Sequence, residues 1–239
     1  MKNQSILIAG GTGDIGRACA EQFLKAGAKV SITGRDQNKL DQLASELGQN
    51  GRKVSVIKAD VTDSKSVADM VETVIENYGG IDVLVNAFGT GMIQPLHDID
   101  PEQAANVLDV NILGTFLVTQ EVTRHMVSAK KGSVIMFPGI LGKTVMKNTS
   151  IYSASKYAVT GFTKALVEEH KRSGIRYSLF YLGGVNTSFW DNPNVNMRVQ
   201  KDKMLSVDEV AKAVFYAALQ QGDSVLSELV LQPESHQMV

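Results

Sequence analysis

The chain of 239 residues has little of what marks several specialised classes of protein. Cys19 is its single cysteine, so no internal disulfide can form, and no group of cysteines and histidines has zinc-ligand spacing. The formal charge of −1 gives no indication of a nucleic-acid partner or an anionic membrane. No apolar run approaches the roughly 18 residues of a membrane helix, and the apolar start is too short for a signal peptide. We therefore predict a soluble cytoplasmic protein that binds no metal, nucleic acid or membrane.

Short apolar runs that alternate with longer segments of helical periodicity are the main pattern that is present. The runs are rich in Val, Ile, Leu or aromatic residues and are bounded by Gly, Asp, Asn or Pro, as is typical of strands. They are Ile6–Ala9, Lys29–Thr33, Lys53–Ala59, Ile81–Asn86, Gly132–Phe137, Arg176–Leu182 and Leu226–Leu231. This alternation predicts an α/β fold: a doubly wound, Rossmann-like parallel sheet of about seven strands with helices on both faces. We expect residues 1–239 to form a single domain.

Residues 183–205 are the least regular stretch of the chain and are rich in asparagine. A capping box, Ser206-Val207-Asp208-Glu209, predicts that a helix begins directly after them. A loop of this length inside a compact domain is more often functional than accidental. We call residues 183–205 the lid segment and predict that it covers a substrate.

The first predicted strand runs directly into a glycine-rich turn, and a helical pattern follows the turn. The turn reads Gly10-Gly11-Thr12-Gly13-Asp14-Ile15-Gly16. Glycines let a backbone approach a pyrophosphate, and a helix N-terminus offers free amides and positive potential. A tight turn without a ligand is the alternative, but the order strand, turn, helix is the context that favours a dinucleotide site.

The end of the second strand indicates which dinucleotide is bound. Enzymes that use NAD(H) usually place an acid there to bind the ribose hydroxyls, whereas this chain has Gly34 followed by Arg35. Glycine leaves room, and a guanidinium matches a phosphate bidentately. The sequence therefore favours NADP(H). Asp36 is the reservation, although it is equally placed to cap the next helix.

Two further strand ends carry candidate cofactor contacts. Asp60-Val61 follows the third strand, where the carboxylate is placed to accept a hydrogen bond from the adenine amino group. The alternative is that Asp60 marks the start of the helix near Ser64. Asn86-Ala87-Phe88-Gly89 ends the fourth strand, at the sheet edge where the cofactor is expected.

Tyr152 and Lys156 are the strongest candidates for chemistry. They are four residues apart, so on a helix both side chains leave the same face. A tyrosine has a reference pKa of about 10, and a neighbouring ammonium lowers this pKa by favouring the phenolate. The pair is therefore a candidate general acid or base near neutral pH, although the same spacing also occurs by chance on solvated helices.

In combination these motifs resemble the short-chain dehydrogenase/reductase family, in its short branch. The resemblance covers essentially the whole chain and depends on several motifs in one order. They are the glycine turn, Asp60-Val61, Leu84-Val85-Asn86, Asp109-Val110-Asn111, Tyr152-Ser153-Ala154-Ser155-Lys156 and Gly183-Gly184-Val185-Asn186-Thr187. The resemblance implies an NADP(H)-dependent oxidoreductase acting on a carbonyl or alcohol substrate and assembled as a homotetramer or dimer.

The resemblance also implies individual roles. Tyr152 would protonate the substrate oxygen, and Lys156 would lower the pKa of Tyr152 and hold the nicotinamide ribose. Asn111 would support a proton relay through water to Lys156. Thr187 and the backbone of Val185 would hold the nicotinamide carboxamide.

Several residues depart from the family pattern. Asp14 stands where the short branch has the middle glycine of the turn, but the spacing Gly10-x-x-Gly13-x-x-Gly16 follows the extended branch, in which that side chain turns away from the phosphates. Phe88 places a bulky ring near the cofactor, and Leu182 replaces the usual proline before Gly183.

The most consequential departure is Gly139, thirteen positions before Tyr152, where the family has its catalytic serine. Losing one donor that polarises a substrate carbonyl typically costs about 100- to 1000-fold in rate. Other hydroxyl or amide groups are candidates to replace it, and these are Thr144, Thr149, Ser150, Asn186 and Ser188.

Three functions are compatible with this pattern. The first is a ketone or aldehyde reductase, and the second, motivated by Gly139, is a non-catalytic NADP(H)-binding regulatory or sensor protein. The third is an epimerase or dehydratase of the extended branch, for whose usual substrate domain the chain is too short. A partly apolar substrate is suggested by large side chains that would serve equally well in a core, namely Phe88, Met92, Met146, Phe189 and Trp190.

Overall fold

A seven-stranded parallel sheet is the centre of the computed structural model, which describes residues 1–48, 54–220 and 224–238. Its strands are β1 (Ser5–Ala9), β2 (Lys29–Gly34), β3 (Val54–Lys58), β4 (Val83–Asn86), β5 (Gly132–Met136), β6 (Ile175–Leu182) and β7 (Glu228–Leu231). They follow the order β3-β2-β1-β4-β5-β6-β7, so the doubly wound prediction is confirmed. Lys53, the first residue of the predicted third strand, lies outside the described residues. The order reverses between β1 and β4, and a crevice at this point is the usual ligand site of such sheets.

Helices cover both faces of the sheet because strand residues alternate between the faces. The helices are α1 (Asp14–Lys25), α2 (Gln37–Leu47), α3 (Ser64–Tyr78), α4 (Pro101–Leu108), α5 (Thr115–Ala129), α6 (Ser150–Glu169) and α7 (Val207–Ala218). Ile6 and Ile8 of β1 pack with the cluster under α1, α2 and α7, whereas Leu7 and Ala9 pack with the cluster under α3, α5 and α6. Each central strand is therefore buried on both sides, which explains its continuous apolar sequence.

Local signals in the sequence set several helix starts. The capping box predicted at residue 206 is present, since the Ser206 hydroxyl accepts from the Glu209 amide and the Glu209 carboxylate accepts from the Ser206 amide. Asp100 accepts hydrogen bonds from the amides of Glu102 and Gln103 at the start of α4. Within the described ranges, no helix combines the length and the apolar character needed to cross a bilayer.

Two β-bridges fix the course of the lid segment. Val185 forms a β-bridge with Leu205, which joins the two ends of the segment, and Ile93 forms a bridge with Val195. Between these bridges lies a short 3₁₀ turn, Ser188–Asp191. The lid segment therefore follows β6 directly and lies at the carboxyl edge of the sheet, next to the crevice.

Candidate active site

The glycine turn has its shape because two of its glycines touch backbone. Gly10 has φ +82°, and a Cβ there would come within 2.6 Å of the Phe88 amide nitrogen. A Cβ on Gly16 would come within 2.5 Å of the Gly10 carbonyl oxygen, so α1 can pack this close to the turn only with glycine at that position. Gly13 is exposed, and a Cβ there would meet only the Gly10 carbonyl oxygen, at 3.5 Å. The turn is thus closed toward the protein and open outward at the start of α1, which fits a bound pyrophosphate.

Asp14, the first residue of α1, contacts the lid segment. Its Oδ2 accepts hydrogen bonds from the backbone amide and the hydroxyl of Ser188, both at 2.7 Å. Asp14 is exposed and Ile15, the next residue, is partly buried against the core. The turn and the lid segment are therefore joined directly, a contact that motif spacing gave no reason to expect.

The end of β2 fits the preference for NADP(H). A Cβ on Gly34 would come within 2.9 Å of the Thr12 methyl group, so a side chain at position 34 would require Thr12 to move. Asp36 caps α2 by accepting from the Lys39 amide at 3.2 Å. Arg35 is exposed and forms no ion pair with any residue that the structure describes. A free guanidinium therefore remains at the strand end.

Asp60 does not cap a helix. Its Oδ1 accepts from the amide of Thr62 at 2.9 Å and from the hydroxyl of the same residue at 2.7 Å, whereas Asp63 caps α3. The Thr62 amide is the largest cause holding the pKa of Asp60 below its ordinary value, followed by the Thr62 hydroxyl, and the Arg35 guanidinium adds a smaller effect. Asp60 is therefore an ionised acceptor beside the crevice.

The residues after β4 have two different orientations. The Asn86 side chain is buried and donates to the Thr119 hydroxyl at 3.1 Å, so it fixes β4 to α5. Its Oδ1 is buried without a partner in the described part of the chain. Ala87 continues the pairing with β1 through a 2.8 Å hydrogen bond to the Ala9 carbonyl.

Phe88 packs inward. Its ring and the side chain of Val61 both contact Gly114, where a Cβ would lie 3.2 Å from the ring and 3.0 Å from the valine methyl. The bulky side chain at this position is therefore accommodated beside a glycine at the start of α5. Gly89 lies between Asn111 and Lys156, since a Cβ there would be 3.2 Å from Asn111 Oδ1 and 3.5 Å from Lys156 Nζ.

Asn111 lies in a π-helical turn, Asp109–Gly114, which interrupts the helical run between α4 and α5. Its side chain is buried and joins two separate segments. Oδ1 accepts from the Thr90 amide at 2.9 Å, while Nδ2 donates to the Thr90 carbonyl at 2.9 Å and to the Ser155 hydroxyl at 3.0 Å. Asn111 therefore holds the segment after β4 against α6. Thr90 lies outside every motif of the sequence, and Ser155 lies inside the motif of Tyr152 and Lys156 but was given no role there.

Tyr152 and Lys156 lie one turn apart on α6, as their spacing predicted. Lys156 Nζ lies 5.5 Å from the centroid of the Tyr152 ring and donates to the Phe137 carbonyl at 3.0 Å. The Tyr152 hydroxyl has no hydrogen bond to the described residues, so it is available to a ligand. Burial lowers the pKa of Lys156 to about 8 and raises the pKa of Tyr152 above its ordinary value. This direction is opposite to the one expected for Tyr152 from the pair alone, because desolvation outweighs the attraction of the ammonium.

Gly139 has a backbone conformation that most residues avoid. Its φ is +65° and its ψ is 176°, a region that is essentially confined to glycine. There is space for a side chain, since a Cβ would meet only the Leu182 carbonyl oxygen, at 3.7 Å. The residue at the usual serine position is therefore distinguished by its main-chain geometry as well as by its missing hydroxyl.

Two of the five groups considered as substitutes for the serine already have partners. The Thr149 hydroxyl is buried and donates to the Met146 carbonyl at 2.6 Å, and Ser188 is held by Asp14. The side chains of the other three form no hydrogen bond within the described ranges, and these are Thr144, Ser150 and Asn186.

The aromatic residues of the lid segment lie beside Tyr152. The Phe189 ring centroid is 5.7 Å from that of Tyr152, and the ring covers Gly91, where a Cβ would come within 2.2 Å of it. Trp190 donates from its indole nitrogen to the Val185 carbonyl at 2.8 Å, and the Thr187 hydroxyl lies 3.4 Å from the same oxygen. The groups assigned to the carboxamide thus lie next to the lid aromatics.

The two methionines suggested for the pocket lie elsewhere. Met92 is a core residue that is 1% exposed. Met146 lines a hollow of about 500 Å³ beside the first turn of α6, together with Leu96, Val145 and Tyr157, and Tyr152 does not line it. Phe189 is therefore the large apolar side chain that the structure brings to Tyr152.

Comparison with known proteins gives a consistent result. A family model described as short chain dehydrogenase matches residues 4–197. An uncharacterized oxidoreductase of Staphylococcus aureus (strain MW2) is 30% identical over 227 residues, which are 95% of this chain and 96% of the relative. A metagenomic short-chain oxidoreductase solved with NADP is 27% identical, with 97% of both chains covered and a TM-score of 0.84. A variant of actinorhodin polyketide ketoreductase solved with NADPH is 27% identical, with 95% of both covered and a TM-score of 0.85.

Proposed function

Because this chain belongs to the short-chain dehydrogenase family, we propose that it transfers hydride between NADP(H) and a ketone or aldehyde, or the corresponding alcohol. Tyr152 is the general acid in reduction and the general base in oxidation. The observation that carries the proposal is the unpaired Tyr152 hydroxyl on the same helix face as the buried ammonium of Lys156. Tyr152 transfers the proton, and the ammonium of Lys156 stabilises the phenolate that forms.

The residues around the crevice support NADP(H) as the cofactor. The open turn at residues 10–16 would hold the pyrophosphate, and the free guanidinium of Arg35 would take the additional phosphate of the adenosine ribose. Asp60, with the backbone at Val61, would bind the adenine. When bound, NADPH supplies the hydride. The two neighbours described above were solved with NADP and NADPH, which is in keeping with this choice.

The nicotinamide half of the cofactor would lie toward the lid segment. Thr187 and the backbone of Val185 would hold the carboxamide, and Lys156 would hold the ribose. The floor of the crevice after β4 would be formed by Asn86, Ala87 and Gly89. The Asn86 side chain supports this floor by its hydrogen bond to Thr119 of α5. Both polar atoms of the Asn111 amide have protein partners, so we propose that Asn111 holds Gly89 and Lys156 in register, and its part in a proton relay stays a prediction.

The charge states of the pair favour reduction near neutral pH. Burial raises the pKa of Tyr152, so its hydroxyl is protonated and can donate to a substrate oxygen that gains negative charge. The nearby ammonium stabilises the phenolate that remains. Oxidation needs Tyr152 in its deprotonated form and is therefore disfavoured until the pH is raised.

The position of Gly139 leaves the substrate carbonyl without the usual hydroxyl donor. We propose that an uncommitted polar group at the crevice, such as the Thr144 hydroxyl or the Asn186 amide, takes part of this role, with turnover reduced by up to about 100- to 1000-fold relative to a site with the serine. The second candidate function, an NADP(H)-binding regulatory or sensor protein, is favoured by the same glycine and by the Phe189 ring beside Tyr152.

The proposal is tested by following NADPH oxidation against a panel of ketones and aldehydes, with NADH in parallel. Tyr152→Phe should abolish turnover while NADPH still binds, because only the proton donor is lost. Tyr216→Phe is the matched control, since Tyr216 is exposed on α7, away from the site and from α5 and α6, and it should leave turnover unchanged. Turnover that survives Tyr152→Phe would refute the assignment of Tyr152, and NADPH binding without turnover of any carbonyl would favour the sensor function.

We also propose a homo-oligomer, a dimer or a tetramer, with contacts through α5 and α6. Exposed apolar side chains lie on both helices, with Phe116 39% exposed and Tyr157 43% exposed. Light scattering of the purified chain during gel filtration tests this, and a monomer at micromolar concentration would contradict it.

A further inference from the structure

The contact between Asp14 and Ser188 has no role in the function described so far. We propose that these two hydrogen bonds form a latch, which holds the lid segment closed over the glycine turn and sets the rate at which the coenzyme leaves. Asp14 is thus a positioning residue that acts through the lid segment. The inference rests on the proposed function, because it takes NADP(H) as the ligand of the turn.

Among the described residues, the latch is the polar side-chain contact that joins the start of α1 to the lid segment. Asp14 and Ser188 are 174 positions apart in the sequence, one at the start of α1 and the other at the start of the 3₁₀ turn of the lid segment. The β-bridges of the lid segment hold it to its own far end and to Ile93, on the other side of the crevice. The latch is therefore the polar connection between the lid turn and the pyrophosphate turn.

The chemistry of the latch links it to the coenzyme. With the lid closed, the Asp14 carboxylate receives a backbone N–H and a hydroxyl from Ser188. With the lid open, the same carboxylate would lose both donors while it stays at the start of α1, beside the turn proposed to hold the phosphates, so its negative charge would be less compensated. A coenzyme on the turn therefore favours the closed lid, and a closed lid slows release of the coenzyme, as the reciprocity of coupled equilibria requires.

The residue type at position 14 makes this device specific to chains that have an acid there. A glycine at the middle of the turn has no side chain and cannot hold Ser188. Hydrogen bonds to an exposed charged group lie at the low end of the usual range, so we expect the latch to slow coenzyme release by about three- to tenfold.

The latch is tested by stopped-flow displacement of NADPH from the intact chain. Asp14→Gly and Ser188→Ala should each speed NADPH release by about three- to tenfold, and the double variant should release no faster than the faster single variant. Asp14→Asn retains an oxygen that can accept both bonds, and its release rate should lie between those of the wild type and Asp14→Gly. Asp208→Gly is the control, because Asp208 is an exposed acid in the first turn of α7 and its side chain forms no hydrogen bond or ion pair among the described residues.

A second measurement needs no nucleotide. Trp190 is the single tryptophan of the chain and lies in the same 3₁₀ turn as Ser188, so its fluorescence reports on the lid segment. Acrylamide should quench Trp190 more strongly in Asp14→Gly and Ser188→Ala than in the wild type or in Asp208→Gly.

The outcomes separate the latch from the proposed reaction. Release rates and quenching equal to those of the wild type in both latch variants would overturn the latch, even if the enzyme turns over carbonyl compounds. Faster release and stronger quenching support the latch, even if no carbonyl is reduced. A wild type that binds no NADPH would overturn both proposals.

Discussion

The ammonium group of Lys156 is buried, so replacing Lys156 by methionine should change how the free energy of unfolding depends on pH. The side chain is 8% exposed, and burial lowers its pKa from 10.5 to about 8. Between these two values the unfolded chain binds a proton that the folded chain does not, so the stability of the wild type rises with pH in this window. At pH 7 the full shift destabilises the fold by about 3 kcal/mol, and by pH 9.5 about 2 kcal/mol of this is relieved.

Other effects of the substitution do not depend on pH. Lys156→Met removes the donor to the Phe137 carbonyl, which costs about 1 to 3 kcal/mol if that oxygen is left buried and unpaired. The wild type and Lys156→Met can therefore be similarly stable at pH 7, although the variant has no buried charge. Burial raises the pKa of Tyr152, so stability from that group is retained up to about pH 10 and is lost only at higher pH. Of these two groups, Lys156 alone therefore changes the stability between pH 8 and pH 10.

Urea unfolding of wild type and Lys156→Met at pH 7 and 9.5, at one protein concentration, measures the effect. We expect the wild type to gain about 2 kcal/mol relative to the variant, or roughly 4 to 8 °C in Tm for a chain of this size. Lys147→Met is the control, since Lys147 is exposed and has no ion pair among the residues described. A difference between wild type and Lys156→Met that stays constant across this range would refute the desolvated ammonium.

Three further outcomes follow from the site. Arg35→Gln should raise the KM for NADPH by about 10- to 100-fold and leave the KM for NADH unchanged, and comparable use of both cofactors by the wild type would contradict this. Gly139→Ser and Gly139→Ala should both lose about 1 to 3 kcal/mol of stability, because the backbone has φ +65°. Serine should raise kcat over alanine if the carbonyl lacks a donor, whereas equal turnover would indicate that another group serves. Since burial raises the pKa of Tyr152, the oxidation rate should increase about tenfold per pH unit from pH 6 to 7.5 and less steeply above about pH 8, where Lys156 loses the proton of the ammonium that stabilises the phenolate. An oxidation rate that is already constant between pH 6 and 7.5 would refute that shift.

Local patterns in the sequence were sufficient to predict the sheet and the one-turn pair on α6. Strand runs and helix periodicity are properties of neighbouring residues, and the capping box of Ser206 and Glu209 is complete within four positions. The spacing of Tyr152 and Lys156 likewise needs only helical geometry. These features did not depend on how distant segments pack.

Features that depend on distant segments were not accessible in this way. Asp14 was expected to turn away from the phosphates, but nothing in its neighbourhood indicated Ser188 as its partner. Asn111 stood out in the sequence, whereas its partners Thr90 and Ser155 come from two other segments. The spacing of Tyr152 and Lys156 shows the neighbouring ammonium, so the pKa of Tyr152 was expected to fall. The burial that raises this pKa depends on packing and cannot be read from the spacing.

The main-chain shape at Gly139 limits how this chain can change by mutation. A serine at this position would have to adopt φ +65° and ψ 176° or shift the loop. In a chain of marginal stability, this strain would unfold the protein before the new hydroxyl could act as a hydrogen-bond donor. A scan of single substitutions would therefore score position 139 as intolerant and hide any benefit of a hydroxyl. The route to serine runs through a compensating substitution elsewhere, made first, and laboratory evolution of a faster variant should begin from a stabilised parent.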